Sequence, residues 1–281
     1  MKIAISAETT IDLTKELLNQ FDIKTIAFNV QLGDKEVFDG DITIDEIISF
    51  VNKNKVLPKT AAINDYRYTE HFENLLKHYD AVVHFSLSSE LSAACANATR
   101  SAKSIKNVFV VDTKSLSTGI ALLAIYGREL AEKGYTAKEI YEKCTQRTTA
   151  VQASFELKRL DYLHKGGRCS ALVLFGANLL KIRPQIVVSN GKMIPGKKYK
   201  GNFSHVVKSY CQDVLDTFNT PDLSRAFITY TTADDEIIDI AKSYLIERGF
   251  EKIYVTRAGA TITSHCGEDA LGILYLNDGN K

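Results

Sequence analysis

The sequence predicts a two-domain α/β protein, with a parallel-sheet α/β domain over residues 1–149 and an α+β domain with a largely antiparallel sheet over residues 150–281. Three observations lead there. In the first half, short β-rich runs alternate with amphipathic stretches, the rhythm of βαβ units. Two consecutive helical stretches, near residues 117–133 and 136–147, then interrupt the alternation. Beyond them an Asn190-Gly191 dipeptide separates two β-rich runs, the strongest short signal for a type I′ hairpin and hence for antiparallel pairing.

Taken in order, residues 2–6, 24–30, 81–87 and 107–112 carry the β-branched and apolar character of strands. Thr43, just before Ile44-Asp45-Glu46, and Thr136, three residues before Glu139, place side-chain oxygens where the first helical N–H groups lack partners, so each opens a helix. Residues 150–157 begin a new strand, and residues 185–189 and 192–195 flank the hairpin turn. A helix over 204–218, a strand over 226–230, a helix over 234–248 and strands over 252–256 and 272–276 complete the second half. A chain of 281 residues exceeds the size at which a single core comfortably grows, in agreement with two domains. With only four prolines and no Gly/Ser-rich tract, the domains are expected to be joined rigidly, and the cleft between them is the expected ligand site.

Composition narrows the function. Hydrophobic residues at 45% and charged residues at 25% are those of an ordinary globular protein. Lys and Arg total 35 against 34 for Asp and Glu, so the net charge of +1 supplies no global field for nucleic acid, and no nucleic-acid recognition module is seen. The most apolar stretches, 119–126 and 171–180, fall well short of the roughly 20 residues a spanning helix needs, which argues against an integral membrane protein and leaves room for transient contact with a membrane surface. The opening MKIAISAETT lacks the apolar core of a signal peptide. Five scattered cysteines without a CxxC pair argue against a disulfide framework and against structural zinc, so the expected setting is the reducing cytoplasm, with no metal and no cofactor.

Motifs that carry chemistry are few. Gly191 to Lys198 nearly matches a phosphate-binding P-loop, but it ends in Lys where Ser or Thr would hold magnesium and it sits in a hairpin. There is no GxGxxG after the first strand, no GxSxG and no HExxH. The adjacent pair His265-Cys266 lies on what reads as an extended segment, where neighbouring side chains point to opposite faces and do not share a metal; His265 is expected to be a hydrogen-bonding residue. The serine-rich stretch Ser86-Leu87-Ser88-Ser89-Glu90-Leu91-Ser92 joins the strand over 81–87 to a helix near 92–104. Backbone N–H groups and hydroxyls at such a junction favour an anion. Serine there equally serves as a plain helix N-cap, and spacing does not choose between the two.

Several segments in order resemble the DegV family of bacterial fatty-acid-binding proteins, over essentially the whole chain. They are Glu8-Thr9-Thr10-Ile11-Asp12-Leu13, Phe38-Asp39-Gly40-Asp41-Ile42, Thr60 after a proline-containing turn, Leu87 to Ser92, Val111-Asp112-Thr113 and Ser117-Thr118-Gly119. In the second half the most specific match runs from Leu160-Asp161-Tyr162-Leu163-His164 through Lys165-Gly166-Gly167-Arg168-Cys169-Ser170, followed by Leu180-Lys181-Ile182-Arg183-Pro184 and His265-Cys266-Gly267. The resemblance implies a long-chain fatty acid buried at the domain interface, its carboxylate held by Thr60 and Ser92 and approached by His265. It further implies a separate fatty acid kinase protein as partner, which phosphorylates the bound acid to an acyl phosphate, with Arg168 and Lys200 near the entering phosphate or the partner's surface. On this reading the chain is a lipid-binding subunit and not itself an enzyme.

Departures from the family pattern cluster around the implied head-group site. Relatives commonly continue Thr-Ser-Gln-Pro where this chain has Thr60-Ala61-Ala62-Ile63, and Ser-Gly-Thr where it has Ser92-Ala93-Ala94, so methyl groups are expected to crowd the site. Glu268 and Asp269 replace Pro-Gly after His265 and, if they face the cleft, favour an imidazolium. A rival reading makes the chain a small-molecule or phosphoryl-transfer enzyme, with His265 as acid/base or phosphoryl carrier and Arg168 with Lys200 as an anion clamp. The apolar segment 171–180 reads either as a wall for the acyl tail or as ordinary core.

Overall fold

The computed structural model describes residues 1–169 and 182–279. The segment 171–180 therefore lies outside the described residues. The first sheet is parallel, in the order β2-β1-β6-β7, from β1 (Ile3–Glu8), β2 (Ile23–Ile26), β6 (Ala81–Ser86) and β7 (Val108–Asp112). Around it run α1 (Lys15–Gln20), α3 (Asp65–Leu76), α4 (Ala94–Lys103), α5 (Thr118–Glu132) and α6 (Ala137–Arg147). The six residues of β1 and of β6 are all buried, as expected of central parallel strands covered on both faces.

The large sheet of the second half has six strands in the order β10-β9-β8-β13-β11-β12, every pair antiparallel except β11 with β12. Its strands are β8 (Val151–Glu156), β9 (Arg183–Ser189), β10 (Lys192–Tyr199), β11 (Ala226–Tyr230), β12 (Ile253–Arg257) and β13 (Leu271–Leu276). It is joined by α7 (Asp161–Gly166) and packed by α8 (Phe203–Thr217) and α9 (Asp235–Arg248). At the β9–β10 turn both Asn190 (φ 49°) and Gly191 (φ 83°) are left-handed, the requirement of the type I′ turn.

Both Thr-initiated helices carry the expected reciprocal caps: Thr43 with Glu46 at the start of α2 (Ile44–Asn54), and Thr136 with Glu139 at α6. The apolar run 119–126 has its explanation in α5, whose residues Ile120 to Ile125 are all at 0% exposure. This helix touches β1 and β6 on one side and β8 and β13 on the other, so it is apolar nearly all round because both sheets cover it. No helix among the described residues is long and apolar enough to cross a membrane.

Two features differ from the sequence expectation. The single strand expected over 24–30 is two: β2 ends at Ile26, and β3 (Asn29–Leu32) starts a separate antiparallel sheet, β4-β3-β5, with β4 (Lys35–Phe38) and β5 (Lys59–Ala61). The chain changes sheets at Ala27-Phe28, where Phe28 donates its N–H to Thr9 Oγ1 and accepts one from Asp39. The segment before His265, expected to be extended, is the helix α10 (Ala260–Cys266). Its β-branched Thr261-Ile262-Thr263 favour a strand, and they are overruled by carboxylates that cap the helix from far away in the sequence.

Candidate functional site

The small sheet, α10 and the loop after β6 enclose a cavity lined by Thr60, Ser92, Arg168 and His265 together with apolar Phe28, Leu87, Leu91, Leu116 and Ile262. Thr60 comes from β5, Ser92 from the turn before α4, His265 from the last turn of α10, and Arg168 from just after α7. Four of the five residues expected at the site therefore meet in one place. Lys200, the fifth, is exposed just beyond β10 and is not among the residues lining this cavity. The anion clamp of Arg168 with Lys200 is consequently not assembled there.

Three spaces stand in series. An outer mouth is bordered by Lys59, Lys165, Thr60, Arg168 and His265, and it shares the last three with the central chamber. The central chamber shares Leu116, Ile262 and Cys266 with an inner one, whose further walls include Phe155, Ala258, Leu271 and Leu274. Cationic groups thus gather at the outer end, and the inner one is lined by aliphatic and aromatic side chains with Ser117, Thr229, Tyr230 and Thr231 and no charged residue. Such a gradient suits an elongated amphiphile with an anionic head.

At the polar end, Thr60 Oγ1 lies 2.8 Å from His265 Nε2. The ring is partly exposed through the mouth, yet its Nδ1 is sealed from solvent and has no hydrogen-bond partner among the described residues. Burial, and then the positive charge of Arg168, push His265 down to about 4, so the imidazole is neutral at pH 7. Glu268 and Asp269 do not make it an imidazolium. Glu268 pairs with Lys158 at 3.1 Å, and Asp269 pairs with Lys158 at 3.0 Å and Arg183 at 3.6 Å, away from the cavity lining. Arg168 donates through Nε to the Leu91 carbonyl at 3.3 Å and through Nη1 to that of Gly166 at 2.5 Å, which ties the guanidinium between α7 and the Ser92 loop.

The serine-rich junction divides its labour. Ser86 donates to Glu8, Ser88 donates to the Gly191 carbonyl across the two halves, and the Ser89 N–H is taken by Asp112. Only Ser92 of these faces the chamber, and its Oγ also accepts the Ala94 N–H at 3.2 Å. Capping and lining are thus combined in one hydroxyl. Ala93 is exposed, Ala94 is buried, and neither methyl lines the chamber.

Gly166 explains itself by contact. A Cβ there would stand 2.6 Å from His265 Nδ1 and 3.2 Å from Cε1. In Gly166→Ala the movable partner is the imidazole, so the expected outcome is a displaced His265 and a broken Thr60 pair at a stability loss of only about 1 kcal/mol. The His265 ring resonances in NMR check this; an unmoved ring would mean that α7 gives way instead.

The fold and site together define a mixed α/β protein with a parallel and a largely antiparallel sheet and a cavity whose outer end carries a hydroxyl-histidine pair. The chain belongs to the DegV family of uncharacterised proteins, whose pattern it matches over residues 2–278. It is 29% identical over 284 residues to a fatty acid-binding protein of Thermotoga maritima, covering 97% of this chain and 96% of that one. A crystal structure of a DegV lipid binding protein, also from Thermotoga maritima, superposes with a TM-score of 0.86 at 26% identity and 98% coverage of both chains. The Streptococcus pneumoniae fatty acid kinase B3 protein loaded with linoleic acid has the same fold, with a TM-score of 0.85 at 18% identity over 99% of this chain and 100% of that one.

Proposed function

We propose that this chain binds one long-chain fatty acid and presents its carboxylate to a partner kinase, which phosphorylates it to an acyl phosphate. The carboxylate sits among Thr60, Ser92 and His265, and the acyl chain runs inward past Leu116 and Ile262. What carries the reading is the series of chambers with its cationic groups confined to one end. The fatty acid-binding relative supports the ligand, and the fatty acid kinase B3 protein supports the kinase. Catalysis then belongs to the kinase, this chain needs no cofactor, and both work in the cytoplasm. The cationic mouth at Lys59, Lys165 and Arg168 supports the approach of a phosphate donor, while Lys200 is left for the partner's surface.

Magnitudes assign the roles. Burying an acyl chain contributes about 0.8 kcal/mol per methylene, so about fourteen of them give on the order of 11 kcal/mol before ordering costs. Each neutral hydroxyl adds only about 1 kcal/mol. The tail sets affinity, and the head-group residues set orientation and selectivity for a free acid.

Native mass spectrometry of the gently purified protein, followed by lipid extraction, is expected to show one fatty acid per chain. Ser92→Ala is expected to lower affinity for the acid about tenfold and leave that for its methyl ester unchanged. An empty protein that also refuses added fatty acids would end the reading. A variant that still discriminates acid from ester as the wild type does would remove Ser92 from the site.

A further inference from the structure

Asp39 follows β4 and is buried, at 5% exposure. Both its oxygens are spent on α10: Oδ1 accepts the Ala260 N–H at 2.8 Å and Oδ2 the Thr261 N–H at 3.0 Å. Asp12 accepts the preceding N–H, that of Gly259, at 2.7 Å and is itself held by the Ser117 hydroxyl. The residue at the N-cap, Gly259, has no side chain to offer, so these distant carboxylates are the caps. A helix of seven residues with three β-branched ones in sequence does not persist without such help.

The dimensions match. Seven residues rise about 10 Å at 1.5 Å each, and in the order β4-β3-β5 the two outer strands stand about 10 Å apart at 4.8 Å per step. The helix lies against β3 and β5 of this small sheet. Its first residue, Ala260, packs with Val30, Leu32 and Ile47, its N-terminus is gripped by Asp39 beyond β4, and its C-terminal His265 meets Thr60 on β5.

We infer that Asp39 is a positioning residue for carboxylate recognition: acting through α10, it sets the distance between His265 and Thr60 without touching the ligand. The inference rests on the fatty acid reading above. It also makes the head-group site a product of the two halves docking, because Asp39 and Thr60 belong to one and α10 to the other.

The test titrates palmitate and its methyl ester against wild type, Asp39→Asn and Asp39→Ala, with the His265 ring resonances recorded for each. Ester affinity is expected to fall by no more than about twofold, since α10 brings only Ile262 and Cys266 to the apolar walls and the rest of the tail chamber does not rest on Asp39. Acid affinity is expected to fall about tenfold in Asp39→Ala and less in Asp39→Asn, whose remaining oxygen still caps one N–H, with the His265 resonances moving in the same order. Acid and ester affinities that fall together would show a general structural role and overturn the inference, as would an unchanged acid affinity in the folded variants. A wild type that binds neither compound would sink the fatty acid reading instead, and the His265 resonances alone would then decide whether Asp39 positions the ring.

Discussion

Glu8→Ala is expected to destabilise the protein by about 3–5 kcal/mol, the scale of removing one member of a buried charged network. Glu8 is fully buried at the end of β1 and accepts from Tyr68 Oη (2.7 Å), Ser86 Oγ (2.6 Å), the Leu87 N–H (2.9 Å) and His84 Nε2 (3.2 Å). Burial pushes its carboxyl up, but His84 beside it and the hydrogen bonds from His84, Ser86 and Tyr68 outweigh that and hold it below the ordinary glutamate range. An ionised carboxylate only accepts, so His84 must donate through Nε2; its Nδ1 lies 3.1 Å from Ser6 Oγ, which in turn lies 2.8 Å from His71 Nε2. Alanine would leave Tyr68 Oη, His84 Nε2 and the Leu87 N–H in the interior without an acceptor and Ser86 with only the Leu87 carbonyl at 3.4 Å. Because the folded pKa is lowered, the stabilisation is present above the unfolded value near 4.5 and is lost as pH falls through the folded one. Urea unfolding at pH 7 measures the loss, and Glu8→Gln, which keeps one acceptor, should fall between. A midpoint unchanged in Glu8→Ala would mean that water satisfies all four donors. The effect reaches the ligand site, since the Leu87 that Glu8 holds is a wall of the central chamber.

Much of the fold was legible because burial writes itself into local pattern. The all-buried β1 and β6 read as apolar runs, and Thr43, Thr136 and Asn190-Gly191 act on neighbours within three residues. What escaped depends on contacts far apart in sequence. The strand β4 has only four residues with no buried one, so it leaves no periodic signal, and the sheet built on it was invisible. The helix α10 reads locally as strand, and its caps are 221, 222 and 247 residues away. Thr60, Ser92, Arg168 and His265 came together through family resemblance, since no spacing rule joins Thr60 to a histidine 205 residues later. That same resemblance contained the aspartates of the Glu8-to-Leu13 and Phe38-to-Ile42 segments without a role for them. Their task as caps of α10 required the helix to be known first. The apolar walls at Leu116 and Ile262 had no signal beyond hydrophobicity, which core residues share.

Glu156→Gln is expected to stabilise the protein above pH 8 by roughly 2–4 kcal/mol and to leave it unchanged below pH 4. Glu156 ends β8 at 0% exposure, with Oε1 sealed and unpartnered among the described residues and Oε2 3.5 Å from Arg183 Nη1. Burial pushes the carboxyl up to about 8; Arg183 pulls it back only in part, and Asp269 adds to the rise. Arg183 is a weak counterion here because it also serves Asp269 and lies over the Phe203 ring. A folded pKa near 8 against 4.5 unfolded means that the native state holds a proton the unfolded chain gives up, so the stability this group contributes is complete below 4.5 and lost as pH rises through 8. Glutamine keeps the shape of the neutral acid and cannot ionise, so the variant's stability should not follow that decline. Urea unfolding of both proteins from pH 4 to pH 9 should give curves that coincide at the acid end and diverge between 5 and 8. Parallel curves would place the Glu156 pKa near its unfolded value, and a variant less stable at pH 9 would show that Glu156 is ionised and paired with Arg183 after all. Since Glu156 lies beside Phe155, a wall of the inner chamber, the same titration followed by ligand affinity would report whether charging this strand end loosens the tail site.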